Sequence, residues 1–259
     1  MTEYRVSYAP PTGKPLGTNL TFKICTRIAI PILNLVGKKQ WCGIENIPQS
    51  GRVIIASNHI SYLDVLFFTH FLFRNGRAPR FIGKEAVFRT PIIGKILLAA
   101  GQIPVLRESK DASKALEHAI KLLESGHCLG VYPEGTLTRD ARGWPMIAKT
   151  GLARLAIITQ SPVIPVAQWG SQIVMPTYEN KLRVFPRTPI KVLAGKPLDL
   201  SKWYGKENDP VALTEATAFV MRAITDLLEE LRGEKRPLEI FDPHTSTLPR
   251  IGNFKKRKP

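Results

Sequence analysis

Cysteine is scarce in this chain and shows no pairing pattern. Cys25, Cys42 and Cys128 are the only three in 259 residues. The count is odd and no Cys-x-x-Cys spacing occurs, which argues against a disulfide framework and for a reducing cytoplasm. Cys128 lies within an apolar run and reads as a core residue. No group of residues has zinc-ligand spacing, so no metal is expected. No segment offers about 20 uninterrupted apolar residues, so no membrane span is expected either. The opening stretch, "MTEYRVSYAPPTGKP", is polar and proline-rich. It lacks the basic start and immediate apolar run of a signal peptide, and residues 1–16 are read as a flexible polar arm.

Acidic residues are also few. Asp and Glu number 21 against 37 Lys and Arg, a net charge of +16. A chain this basic expects an anionic partner: nucleic acid, a phospholipid surface or a phosphorylated substrate. Zinc-finger spacing, an RNP-like aromatic pattern and a recognition-helix signature are all missing. The basic residues are spread widely and cluster only at "KKRK", Lys255 to Lys258. Nucleic acid is therefore not expected as a partner. The 44% hydrophobic and 22% charged composition is that of an ordinary globular protein.

Hydrophobic patterning alternates between two periods. Leu20, Ile24, Ile28 and Leu35 recur at helical spacing between Gly17 and Gly37, with Lys23 and Arg27 among them and Pro31 placed to kink the helix. A helix of about 18 residues would be roughly 27 Å long. It reads either as a core-packing helix or as an interfacial one lying on a membrane with its cations near lipid phosphates. The short apolar runs Arg52–Ser57, Pro79–Lys84, Gln102–Arg107, Cys128–Pro133 and Ser161–Gly170 read as strands. Arg183–Gly195 reads as a strand pair broken at Pro186 to Pro189. Tyr62–Arg74, Pro91–Gly101, Lys110–Ser125, Thr150–Thr159 and Pro210–Arg232 read as helices.

This alternation predicts an α/β fold, with a central mostly parallel or mixed sheet covered by helices on both faces and preceded by an N-terminal amphipathic helix. The expected organisation is an arm over residues 1–16, a membrane-associating helix over 17–38, a catalytic domain over 39–233 and a basic, proline-rich tail over 234–259.

The polar clusters fall where strands should end. "SNHISYLD" (Ser57 to Asp64) follows one strand and "YPEGTLTRD" follows another. In a loop running into a helix, Asp64 can come back to the His59 imidazole, fix its tautomer and leave Nε2 free to take a proton. The plainer alternative is an Asp capping the helix with a His beside it. No Gly-x-Ser-x-Gly elbow supplies a nucleophile, so the economical nucleophile is a hydroxyl of the substrate. Gly135 permits close backbone approach and Thr136 adds a hydroxyl.

Four blocks occur in order: His59-x4-Asp64, Gly101 to Arg107, Pro133-Glu134-Gly135-Thr136 and Val163-Ile164-Pro165-Val166. Together they resemble the glycerolipid acyltransferase family, of the 1-acyl-sn-glycerol-3-phosphate acyltransferase type, over roughly Val53 to Val166. The resemblance implies acyl transfer from a thioester, acyl-CoA or acyl carrier protein, to the sn-2 hydroxyl of lysophosphatidic acid, with no cofactor beyond that donor. It implies His59 as general base and Asp64 as its orienting carboxylate. It also implies Arg107 as the holder of the acceptor phosphate, and Glu134, Gly135 and Thr136 as acceptor-binding. Pro165 would shape the acyl region, and Lys84 would stand near the site. The expected location is peripheral, at the cytoplasmic face of the plasma membrane, where the positive charge meets anionic lipid. There are departures: Tyr132 replaces the usual Phe, Leu137 the usual Arg, and Pro104 a common aromatic; Arg139 is a candidate for the missing charge. Other readings are an acyltransferase acting on glycerol 3-phosphate or a lipid-linked sugar, a hydrolase in which His59 activates water, and a non-catalytic basic binding protein.

Overall fold

The computed structural model describes residues 7–105, 111–179 and 181–246. In chain order the elements are α1 (Leu20–Val36), β1 (Gly37–Cys42), β2 (Val53–Ser57), α2 (Asp64–Arg74), β3 (Arg80–Lys84), α3 (Glu85–Phe88), α4 (Ile93–Ala99) and β4 (Ile103–Val105). They continue with α5 (Asp111–Glu124), β5 (Cys128–Val131), α6 (Gly151–Thr159), β6 (Val163–Trp169), α7 (Ser171–Val174), β7 (Thr188–Ala194) and α8 (Pro210–Arg232). Among the described residues seven strands form one sheet, in the order β1-β7-β6-β2-β5-β3-β4. β2 to β6 run parallel, β7 is antiparallel to β6, and β1 is parallel to β7. The sheet is therefore mixed, and helices cover both faces.

The right-handed crossover rule explains which helix lies where. Connections β2-α2-β3 and β3-α4-β4 run one way along the sheet, and β4-α5-β5 and β5-α6-β6 run back. Opposite travel puts the helices on opposite faces. Val53 and Ile55 accordingly pack with Phe68, Phe71 and Leu72 of α2. Their neighbours Ile54 and Ala56 pack with Leu122 and Leu123 of α5, Leu155 of α6 and Val220 of α8. A strand buried on both faces needs no polar alternation, which is why "VIIA" is continuously apolar.

Two expectations need correction. Residues 183–195 do not form a strand pair: β7 is a single strand, and 183–187 are a loop. Pro189 sits within β7 opposite Lys38 of β1, beyond the last β6 pairing at Lys191. A residue without an N–H is tolerated there because no β6 carbonyl faces it. The arm also fails as a flexible segment over its described part. Leu16 donates its N–H to Gly76 O at 2.8 Å and accepts from Ala78 N at 2.9 Å, while Tyr8 packs against the core beneath α5. Residues 1–6 lie outside the described residues, as do Lys255 to Lys258 of the tail. The described start of the tail is also docked, with Ile147 N–H donating to Phe241 O at 3.0 Å.

Asn19 caps α1 by accepting from Phe22 N at 2.8 Å, and the helix runs on past Pro31 to Val36. Its faces divide unexpectedly. Phe22, Thr26, Leu33 and Val36 are buried, whereas Leu20, Ile24, Ile28, Ile32 and Leu35 are between 50% and 73% exposed. The apolar residues singled out by their spacing are thus not core residues. Among the described residues no helix is long and apolar enough to cross a membrane.

Candidate active site

The carboxyl ends of β2, β3, β5 and β6 meet on one edge, with β2 central. The chain leaves β2 toward β3 on one side and reaches β6 on the other. A crevice opens at such a switch point, and the His59 loop lies there.

The loop is built from Ser57 upward. Asn58 is buried between strands; its Nδ2 donates to Gln168 O at 3.0 Å and its Oδ1 accepts from Gln168 N at 2.8 Å. His59 carbonyl accepts from Thr138 N at 2.8 Å, and Ile60 carbonyl from Thr177 Oγ1 at 2.6 Å. These bonds turn the chain so that Asp64 becomes the first residue of α2, where the helix N-terminus favours a carboxylate.

Asp64 is fully buried and its charge is compensated by four donors. Oδ2 accepts from His59 Nδ1 at 2.9 Å, Ile60 N at 2.6 Å and Ser61 N at 2.9 Å. Oδ1 accepts from the Ser171 hydroxyl. An ionised carboxylate can only accept, so Nδ1 is the donor in this pair and Nε2 is the ring nitrogen left without a carboxylate partner. The same carboxylate both turns the loop and holds the imidazole. The His59 ring stacks on Tyr132, centroids 4.1 Å apart. Its side chain keeps 15% exposure and opens on a cavity of about 1100 Å³, slightly larger than the usual ligand site.

One wall of the cavity is the inner face of α1, including Phe22, Cys25, Ala29 and Leu33. Another is Tyr62, just before α2, and the α2 face carrying Leu66, Thr69 and His70. A third extension passes Ile82 and Val131 to Leu116, Leu152 and Leu155. The lining is predominantly apolar. The neutral form of His70 suits this setting: burial, then Lys39 and Arg74, push its imidazole down to about 4.

The residues singled out in the sequence occupy different ranks. His59, Lys84, Gly135 and Thr136 line the cavity. Gly135 needs its positive φ of 71°, which side chains rarely adopt. Arg107 lies outside the described residues. Glu134 departs from its expected role of binding the acceptor. It is 3% exposed, and its two oxygens accept from His59 N and Met146 N, each at 3.1 Å. Burial is the main cause that pushes its carboxyl up to about 8, opposed by those two N–H donors. Glu134 is thus a positioning residue beneath the His59 loop. Arg139 likewise is buried, its guanidinium 4.6 Å from the Tyr178 ring centre, so it braces a wall residue. Pro165 is buried in β6 opposite Ala56 and shapes the site only through the sheet. Ser171 escaped sequence reading, since a serine after a glycine carries no local signal of its partner 107 positions away.

These features place a histidine–aspartate pair on an apolar cavity, and comparison with known proteins gives the family. Residues 40–169, half of the chain, match the family model described as Acyltransferase, and the chain belongs to that family. Among curated relatives, the chloroplastic 1-acyl-sn-glycerol-3-phosphate acyltransferase of Brassica napus is 30% identical over 162 residues, 62% of this chain and 45% of that protein. The Bacillus subtilis protein of the same description is 27% identical over 216 residues, 81% of this chain and 100% of that protein. This chain spans about half the length of the first curated relatives it matches. The crystal structure of the LPA acyltransferase PlsC from Thermotoga maritima shares the fold, with a TM-score of 0.61 at 24% identity, covering 83% of this chain and 81% of that one.

Proposed function

We propose that the protein transfers a fatty acyl group from acyl-CoA or acyl carrier protein to the sn-2 hydroxyl of 1-acylglycerol 3-phosphate, forming phosphatidic acid. The observation carrying this reading is the His59–Asp64 dyad opening on a large apolar cavity. His59 Nε2 takes the hydroxyl proton as the oxygen attacks the thioester carbonyl. The tetrahedral intermediate then expels the thiolate, which receives the proton back from the imidazolium. Asp64 stabilises that imidazolium through Nδ1. The thioester is a substrate, so no cofactor enters. Lys84 at the wall and Arg107, by its block, are assigned to the anionic groups of the substrates.

The exposed stripe of α1, flanked by Lys23 and Arg27, supports a peripheral site on an anionic leaflet, here the cytoplasmic face of the plasma membrane. Its opposite face lines the cavity, so one helix would join bilayer to acyl site.

The test is incubation with labelled acyl-CoA or acyl carrier protein and a panel of acceptors. Label in phosphatidic acid supports the reading. Label on glycerol 3-phosphate or a lipid-linked sugar alone moves the acceptor, free fatty acid alone indicates a hydrolase, and no turnover with either donor removes the catalytic assignment.

A further inference from the structure

The stretch Lys181–Arg187, "KLRVFPR", is exposed at every position. Leu182, Val184 and Phe185 show 59%, 37% and 71% of their surface, and Lys181, Arg183 and Arg187 are interleaved with them. No acidic residue interrupts it. Catalysis as described above makes no use of this loop.

Its placement is specific. Arg183 N–H donates to Val174 O at 2.7 Å at the end of α7. At the other end Arg187 Nη2 donates to Asn34 O at 2.6 Å and Gly37 O at 3.1 Å. These are carbonyls at the C-terminus of α1, where a cation is favoured. Val174, the inner-face residues Leu33 and Val36 of α1, and Ile190 of β7 share one apolar cluster. The loop is therefore hung from the same packed unit that seats the second half of α1. That half carries Ile32 and Leu35 of the exposed stripe.

We propose that 181–187 is a second membrane-contacting element, which seats Leu182 and Phe185 among the acyl chains and Lys181 and Arg183 among anionic headgroups. The inference rests on the peripheral-membrane reading of α1 and extends it. Two contacts at separate places fix the tilt of a peripheral protein, where one helix allows it to roll about its axis. Charge favours a bilayer over a second copy of the chain as occupant, because self-association would bring like cations face to face. Leu182 and Phe185 expose 59% and 71% of their surface beside the cations, and large bare apolar side chains suit lipid rather than an acidic carrier protein. The contact also lies close to the chemistry. The segment between β6 and the loop carries Ser171 on Asp64 and Thr177 on Ile60.

The experiment is co-sedimentation of the full chain with phosphatidylcholine vesicles with and without phosphatidylglycerol. The variants are Leu182→Ser/Phe185→Ser, Ile28→Ser/Ile32→Ser in α1, and Val211→Ser, an exposed apolar control on α8. The loop pair should lower partition into phosphatidylglycerol vesicles roughly tenfold with its melting temperature unchanged, while Val211→Ser matches the parent. Parental partition of the loop pair, with loss in the α1 pair, overturns this inference and leaves the membrane reading standing. Parental partition of both pairs overturns both. Loss in the loop pair alone supports the loop and removes α1 as an anchor. A loop effect seen only on dimer mass, or only on rates with acyl carrier protein, assigns the surface to those partners and overturns the proposal. If the double variant is unstable, Arg183→Glu, whose tether to α7 is a backbone N–H, should lower phosphatidylglycerol binding roughly tenfold; parental binding counts against the loop.

Discussion

Glu134 holds His59 by its backbone: the carboxyl group accepts the His59 N–H at 3.1 Å, while the imidazole of the same residue reaches Asp64. Two carboxyl groups thus serve one histidine, the first setting where the loop sits and the second setting how the ring points. Both are buried, and only the imidazole reaches the cavity.

A pH signature follows from that burial. The Glu134 carboxyl is pushed from 4.5 up to about 8, so the folded state holds a proton that the unfolded chain releases. Its contribution is fully present below pH 4.5 and is lost as pH rises through about 8, by at most about 1.4 kcal/mol per pH unit. Glu134→Gln should flatten this dependence. It should also cost about 1–3 kcal/mol, because the amide turns an N–H toward one of two backbone donors. Urea midpoints measured across pH for both proteins check this; parallel curves would contradict it.

His59→Ala should lower acyl transfer by about 10²- to 10⁴-fold with the fold retained, since three other donors still satisfy Asp64. Arg107→Ala should mainly raise KM for the phosphorylated acceptor, as its block implies. Initial rates over a range of acceptor concentrations separate the two effects. Near-parental turnover in His59→Ala would remove it as the base.

Ser171→Ala removes the hydroxyl on Asp64 Oδ1. Its predicted effect is on kcat, about tenfold, with KM for both substrates near parental, because Ser171 lies outside the cavity wall. The Thr variant should restore most of the rate. A proportional fall in folded protein, measured by calorimetry, would instead mark the bond as purely structural.

His70 is buried with Nε2 lacking a partner among the described residues, and its ring stands edge-on to Trp41. Its folded value of about 4 lies below 6.5, so stability falls as pH drops from 6.5 through 4, where the unfolded chain gains a proton first. His70→Leu should remove that acid sensitivity and add about 1 kcal/mol at neutral pH by eliminating an unsatisfied polar atom. Thermal midpoints at acid and neutral pH provide the check.

Much of the fold was legible because local signals agreed. "VIIAS" and "VIPV" are apolar without alternation, as strands covered on both faces must be. Asp209 before Pro210 and Gly233 after Arg232 bracket α8 by cap chemistry that needs no tertiary partner. β1 escaped because "GKKQWC" lies at the sheet edge with mostly exposed side chains and carries no apolar period. Pro186 and Pro189 read as breakers, but an edge-like position lets one of them stay within a strand.

For the site, the amino-acid order alone put His59 and Asp64 within reach of each other, because a loop running into a helix at that spacing brings the carboxylate back to the imidazole. Tertiary structure decided their ranks. It placed Glu134 beneath the loop and Ser171 on the far side of Asp64. It also turned Leu20, Ile24 and Ile28 outward while Phe22 and Leu33 faced in. Helical spacing shows that a stripe exists but not which neighbour it meets. That depends on α2 and β7, which lie far along the chain and meet α1 only once the sheet has formed.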